Sequence, residues 1–167
     1  MLNLCLDGME DDRLPRLLLI THPDDELDPA LAAELAAREG LETIPAEHGL
    51  DALFRLAQGG VDAVVVNVRH ALQDGVVLAN IVRERPAYAT LPIIATAGSL
   101  SCNDHRALRL AGVDHVLTLP CSPTVARRCL DEALDGPARE PGLLERLARA
   151  WDAAYPTTTY QLTLLRY

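Results

Sequence analysis

The sequence predicts a doubly wound α/β fold built on a parallel sheet of five strands. From residue 16 onward, short apolar runs alternate with longer segments of helical period, which is the pattern of repeated strand–helix–strand units. The first run is apolar almost throughout, as expected for a strand that helices cover on both faces. Each connection between runs has room for a single helix, so we expect five strands alternating with five helices.

The apolar runs locate the strands. The run over residues 61–67 (VDAVVVN) is the most strand-like of them. The predicted strands are residues 16–21, 41–46, 61–67, 91–98 and 115–119.

Capping residues mark the ends of the first and last helices. Asp28 followed by Pro29 predicts the start of the first helix, and Gly40 predicts its end. Ser122 followed by Pro123 predicts the start of the last helix in the same way.

The second and third helices follow from periodicity and from turn residues. The second helix, within residues 49–60, is expected to turn Leu50, Leu53, Phe54 and Leu56 toward the core. The Asp-Gly pair at residues 74–75 is expected in a loop before a third helix over residues 76–86. A fourth helix is expected near residues 103–111.

Composition narrows the possible functions. The formal net charge is -9, and every basic residue is an arginine because the chain contains no lysine. Without a basic stripe, nucleic-acid binding is disfavoured. The four cysteines show no Cys-x-x-Cys spacing, and the sequence shows neither a secretory signal nor an apolar run long enough to span a membrane. We therefore expect a cytoplasmic protein without membrane or nucleic-acid partners.

Three segments organise the chain. Residues 1–13 form an acidic leader, residues 14–135 the α/β domain, and residues 136–167 an extension. The extension has a Pro/Gly linker, a predicted helix with Leu143, Leu144, Leu147 and Trp151 on one face, and a β-branched run after Pro156. The apolar face of that helix either packs on its own domain or is offered to a partner.

Candidate functional residues follow the strands, because ligands of doubly wound sheets bind outside the carboxyl ends of the strands. These positions are residues 21–25, 67–74, 95–99 and 119–120.

Several stretches in this order resemble the receiver domain of two-component response regulators. They are LETIPAEHGLDALFRLAQGGVDAVVVN, NVRHALQDGVVLANIVRE, LPIIATAG and LRLAGVDHVLTLP with the proline that ends it. The resemblance implies a flavodoxin-like fold with strand order 2-1-3-4-5. It also implies a phosphoryl-accepting carboxylate after strand three, acids after strand one that hold Mg²⁺, a Thr or Ser after strand four, an aromatic residue on strand five and a lysine after it.

The chain departs from that chemistry at the two central positions. Asn67 stands at the phosphoacceptor position, and its neutral amide cannot form an acylphosphate. Leu119 stands at the lysine position, and no other lysine can replace it because the chain has none.

The remaining positions also depart. Counting back from Gly112 places Ala97 at the Thr/Ser position, although a gap of one residue would restore Thr96. Val116 stands at the aromatic position. Thr21 and His22 directly follow strand one, and Asp24 and Asp25 are displaced by about two residues.

These departures predict a degenerate receiver, or pseudo-receiver. We expect a phosphorylation-independent protein–protein interaction module in signal transduction, not an enzyme, with no cofactor and no bound Mg²⁺. The expected partner is another signalling protein or a second copy in a homodimer. The face formed by helix four, strand five and helix five, which receivers use for pairing, is the first candidate surface.

Two alternatives remain open. The HPDDE stretch also resembles the opening motif of the zinc-dependent LmbE/PIG-L deacetylases, which would make His22 and Asp25 zinc ligands and Asp24 the general base. That family's distal His-x-x-His motif does not occur in the chain, although His70 could join His22, Asp24 and Asp25 around a metal. The other alternative is a phosphorelay regulator that uses a non-standard acid.

Overall fold

The structure is a computed structural model, and it describes residues 13–23, 25–68 and 72–136. Within these ranges the chain forms five strands, five α-helices and one short 3-10 turn at Pro86–Tyr88. The strands are β1 (Arg16–Ile20), β2 (Glu42–Ala46), β3 (Ala63–Asn67), β4 (Ile93–Ala97) and β5 (His115–Thr118). The helices are α1 (Pro29–Ala37), α2 (Gly49–Ala57), α3 (Leu72–Glu84), α4 (Cys102–Leu110) and α5 (Pro123–Leu134).

The five strands form one parallel sheet in the order β2-β1-β3-β4-β5. The predicted fold class and strand order are therefore confirmed. The leader through residue 12 and the extension from residue 137, including its predicted helix and strand, lie outside the described residues. Within the described ranges, no helix combines the length and the apolar character that crossing a bilayer requires.

Helices cover the sheet on both faces. One apolar cluster joins the sheet to α2, α3 and α4, and the other joins it to α1 and α5. Successive residues of a strand point to opposite faces, so Val64 belongs to the first cluster and its neighbour Val65 to the second. Both are 0% exposed. Burial on both faces explains why the sequence of β3 is apolar without alternation.

The predicted helix starts are confirmed at both capping sites. The Asp28 carboxylate accepts hydrogen bonds from the backbone N–H groups of Ala30 and Leu31, and Pro29 is the first residue of α1. The Ser122 hydroxyl likewise accepts a hydrogen bond from the Val125 N–H at the start of α5. These bonds satisfy donors that have no partner inside the helix.

The predicted loop at residues 74–75 is wrong, because α3 begins at Leu72 and contains both residues. Gly75 is buried in the first turns of this helix. A Cβ at Gly75 would lie 2.2 Å from Cγ1 of Val68, so the glycine provides the room for that side chain to pack. Glycine here marks a close approach of helix and strand end, and not a chain break.

The predicted inward face of α2 is also partly wrong. Leu56 is buried at 1% exposure and Leu53 packs against the core, but Leu50 is 76% exposed and Phe54 is 63% exposed. An α-helix turns about 100° per residue. The pair Leu50 and Phe54 therefore lies about 200° around the helix from the buried pair Ala52 and Leu56.

A buried guanidinium ties together the edge of the sheet where β4 and β5 begin. The Arg83 side chain is 6% exposed and donates hydrogen bonds to the backbone carbonyls of Tyr88, Leu91 and Gly112. It also forms an ion pair with Asp114, whose carboxylate lies 2.7 Å from Nη2 of Arg83. The charge is therefore both paired and hydrogen-bonded, which is what burial of an ion requires.

We expect Arg83→Met to lower the free energy of unfolding by ~3–5 kcal/mol, because it removes the cation that pairs with the Asp114 carboxylate and the donor to several buried carbonyls. Urea denaturation followed by circular dichroism measures this loss. Arg128→Met is the control: Arg128 is 72% exposed and 3.9 Å from Glu132, so its loss is expected to cost ~0.5 kcal/mol or less. Equal effects of the two substitutions would contradict the role of Arg83.

Thr96 is the one residue of β4 whose side chain is polar, and its buried hydroxyl has no hydrogen-bond partner among the described residues. Replacing this hydroxyl with a methyl group in Thr96→Val is expected to stabilise the domain by ~1 kcal/mol, because an unsatisfied buried polar group is costly. Thermal denaturation checks the sign. Thr118→Val, at an exposed position of β5, is expected to change stability by no more than ~0.5 kcal/mol. A destabilised Thr96→Val variant would contradict this account.

Candidate functional site

The candidate site lies outside the carboxyl ends of β1, β3, β4 and β5, where ligands of doubly wound sheets bind. Asn67 is the last residue of β3 and pairs in register with Thr96 of β4. Thr21 follows β1, and Leu119 follows β5. The parallel topology therefore brings the predicted positions after these strands to one edge of the sheet.

Asn67 and Asp25 form the polar contact of this crevice. The Asn67 amide donates a hydrogen bond from Nδ2 to Oδ2 of Asp25 across 3.2 Å, and both residues are partly buried. A turn in which the Asp25 N–H donates to the His22 carbonyl at 2.9 Å carries the carboxylate back over the sheet. Asp25 thus reaches the end of β3 in spite of its displacement in the sequence.

Thr21 and His22 begin the same β1–α1 loop. The Thr21 N–H donates to the Ala46 carbonyl and extends the pairing of β1 with β2, while His22 is exposed. Asp24 and His70 of the predicted metal set lie outside the described residues. Among the residues that are described, no group of three metal-ligating side chains comes together.

The lysine position is apolar and buried. The Leu119 side chain is 8% exposed and packs in the cluster of α1 and α5. Its N–H donates to the Ala97 carbonyl at 2.7 Å, which fixes the residue at the end of the sheet. A leucine there offers neither charge nor hydrogen bond to an anion in the crevice.

The strand-four and strand-five positions are apolar as well. Ala97 is the last residue of β4 and packs in the cluster of α2, α3 and α4. Thr96 has the side-chain direction of Ile94, which belongs to the cluster of α1 and α5. Val116 is partly buried against the first of these clusters. Thr96 is therefore expected to direct its buried hydroxyl toward the α1 and α5 side of the sheet, and Ala97 carries no hydroxyl.

A thiol–carboxylate pair at the same edge was not predicted. Cys121, which follows Pro120 after β5, lies with its Sγ 3.4 Å from Oδ1 of the helix-capping Asp28. Burial, together with the hydrogen bond and the charge of Asp28, raises the pKa of the Cys121 thiol to about 11. The thiol is therefore protonated at neutral pH and is not an activated nucleophile. No local pattern predicts this contact, because 93 residues separate the two side chains.

Comparison with known proteins assigns the fold. No protein-family model matches the chain. A solved structure of a protein from Chloroflexus aurantiacus assigned as a response regulator is 28% identical, with a TM-score of 0.63 over 72% of this chain and 98% of that chain. A chemotaxis response regulator of Vibrio cholerae is 20% identical, with a TM-score of 0.60 over 72% and 99%.

A third similar structure carries a metal ion. It is the receiver domain of a sensor histidine kinase from Pseudomonas aeruginosa, with magnesium coordinated in its active-site cleft. That domain is 18% identical to this chain, with a TM-score of 0.60 over 72% of this chain and 98% of its own. The described domain thus has the CheY-like fold of response-regulator receiver domains.

Proposed function

We propose that this receiver domain has lost phosphoryl transfer and acts in signal transduction by binding another protein. The observation that carries the proposal is the Asn67–Asp25 hydrogen bond at the end of β3. Asn67 occupies the position at which the receiver resemblance expects the phosphoryl-accepting carboxylate. The lone pair of the amide nitrogen is delocalised into the carbonyl group, which makes Asn67 a poor nucleophile. The side chain also has no carboxylate oxygen with which to attack phosphorus.

The described residues do not fit a magnesium ion of the receiver type. Mg²⁺ takes oxygen ligands in near-octahedral geometry. Here the Asn67 amide donates its N–H to Oδ2 of the Asp25 carboxylate. A cation would therefore find an amide in place of the second carboxylate, and no step of the proposed function involves Mg²⁺.

Neither Leu119 nor Ala97 supplies a side-chain group that could stabilise a transferred phosphoryl group. Charge-assisted donors such as lysine contribute strongly to the binding of phosphate oxygens. Leu119 is buried in an apolar cluster, and the chain contains no lysine that could substitute. Ala97 supplies no hydroxyl. Loss of nucleophile, cation site and phosphate donor at one crevice supports a binding role better than an enzymatic one.

No observation favours the zinc deacetylase. The described member of its motif that reaches the crevice, Asp25, bonds to the Asn67 amide, while His22 is exposed. A phosphorelay role would require Asp25 to act as a substitute acceptor. Incubation with acetyl phosphate distinguishes that role from a binding module, because a phosphorelay regulator would gain a phosphoryl adduct.

Incubation of the full chain with acetyl phosphate and Mg²⁺ is expected to leave its intact mass unchanged, because the last residue of β3 is an asparagine and not an aspartate. Mass spectrometry under conditions that preserve acylphosphates measures the result. The double variant Asn67→Asp with Leu119→Lys is the positive control, since it supplies the acceptor and a cation. A phosphoryl adduct mapped to Asp25 or Asp74 of the wild-type chain would overturn the proposal.

The single variant Asn67→Asp is expected to gain a response to Mg²⁺ that the wild-type chain lacks. The substitution sets a second carboxylate against Asp25, and two like charges in contact destabilise the fold until a cation neutralises them. Millimolar Mg²⁺ should therefore raise the melting temperature of the variant by several degrees and leave the wild type unchanged.

The combination of Asn67→Asp with Asp25→Asn restores one carboxylate and one amide in exchanged positions, and it serves as the matched control. It is expected to show no shift with Mg²⁺. A wild-type chain whose melting temperature rises with Mg²⁺ as much as that of Asn67→Asp would contradict the lost cation site.

A further inference from the structure

The exposed flank of α2 forms an apolar groove on the side of the sheet away from α1 and α5. The groove has a volume of about 840 Å³ and runs along α2 toward Arg85 at the end of α3. Its apolar lining is Leu50, Leu53, Phe54 and Ala57. These four positions follow the i, i+3, i+4, i+7 spacing of one helix stripe.

This stripe is unusual because its largest members face solvent. Phe54 is the single phenylalanine of the chain and is 63% exposed, and Leu50 is 76% exposed. Adjacent exposed apolar side chains of this size mark interaction surfaces in soluble proteins. By comparison, α4 exposes one large apolar residue, Leu110.

The charges around the groove have opposite sign at its two ends. Glu47 lines the end at which α2 begins, and Arg85 lines the end at which α2 finishes. Asp51 is paired with Arg55 within the helix at 3.4 Å. Within the described part of the chain, neither the Glu47 carboxylate nor the Arg85 guanidinium has an ion-pair partner.

We propose that this groove binds the same groove of a second copy of the chain, with the two α2 helices antiparallel across a two-fold axis. A two-fold axis brings unlike ends together, so Glu47 of each copy faces the partner's Arg85. The antiparallel arrangement also sets opposite ends of the two helix dipoles side by side.

The apolar stripe is self-complementary under the same rotation. With the axis at the middle of the stripe, Phe54 packs against Leu53 of the partner subunit, and Leu50 packs against the partner's Ala57. A large residue therefore meets a small one at each end, which permits close approach of the helices. The proposal does not depend on the loss of phosphoryl transfer, because the groove shares no residue with the crevice.

The dimer is expected to be weak and concentration-dependent, because two short helices bury less surface than a standard interface. Sedimentation equilibrium of the full chain over a range of concentrations gives its dissociation constant. Phe54→Glu is expected to weaken dimerisation at least about tenfold, because it sets two charges into the apolar centre. Leu110→Glu is the matched control on α4, where a residue of similar exposure is expected to leave the constant unchanged.

Charge reversal tests the pairing across the axis. Glu47→Arg and Arg85→Glu are each expected to weaken self-association by about tenfold, since each sets like charges opposite one another twice. An equimolar mixture of the two variants restores both pairs, because the arginine at position 47 of one chain then meets the glutamate at position 85 of the other. Recovery of heterodimer in the mixture, at the wild-type constant within about twofold, is the expected result.

Three outcomes would overturn the proposal. The first is a wild-type chain that stays monomeric at all accessible concentrations. The second is a dimer that Phe54→Glu leaves intact. This result overturns the proposal both when Leu110→Glu breaks the dimer and when removal of residues 137–167 breaks it. The third is a mixture of the charge variants that associates no better than either alone. Circular dichroism and melting temperature of each variant confirm that it is folded.

Discussion

The buried guanidinium of Arg83 is the contact on which the geometry of the domain depends. It joins the end of α3, the 3-10 turn, the start of β4 and the turn before β5 through five acceptors. Gly112 makes this possible, because its φ of +94° suits glycine and a Cβ there would lie 2.7 Å from Cγ of Arg83. These contacts hold the beginnings of β4 and β5 together, and the crevice lies at the opposite ends of the same strands.

Charged side chains differ between the end of the sheet at Arg83 and the end at the crevice. At the Arg83 edge, the ion pair between Arg83 and Asp114 is buried, and removing one member would leave the charge of the other uncompensated. At the crevice edge the substitutions are concerted: Leu119 is apolar, and Asn67 is neutral where a carboxylate would stand against Asp25. Exchanging several charges together for neutral or apolar groups is often neutral or stabilising. Under the proposed loss of phosphoryl transfer, the stability of the fold therefore does not require charged groups in the crevice.

The sequence was sufficient for the elements whose signals are local. Apolar runs and the capping residues Asp28 and Ser122 correctly predicted strands and helix starts, because burial on two faces and unsatisfied N–H groups constrain the residues themselves. Features that depend on tertiary contact were missed. The sequence predicts a turn at Gly75, because the packing of Val68 against this glycine exists only in the folded domain. The approach of Asp25 to Asn67 depends on the path of a loop, which no periodicity encodes.

The outward apolar face of α2 is another feature that sequence periodicity does not predict, and this face has a functional interpretation. Periodicity predicts that apolar residues of a helix face the core, yet α2 carries two apolar stripes and the sheet can cover one of them. The receiver resemblance implies that phosphorylation acts on the face formed by β5 and the helices beside it. It would act through a hydroxyl after β4 and an aromatic residue on β5. Ala97 and Val116 provide neither group here. A surface on α4 and β5 would then have no means of responding to the crevice, whereas a constitutive surface needs only exposed apolar area and complementary charge. The flank of α2 has both, because Leu50 and Phe54 are exposed between charges of opposite sign.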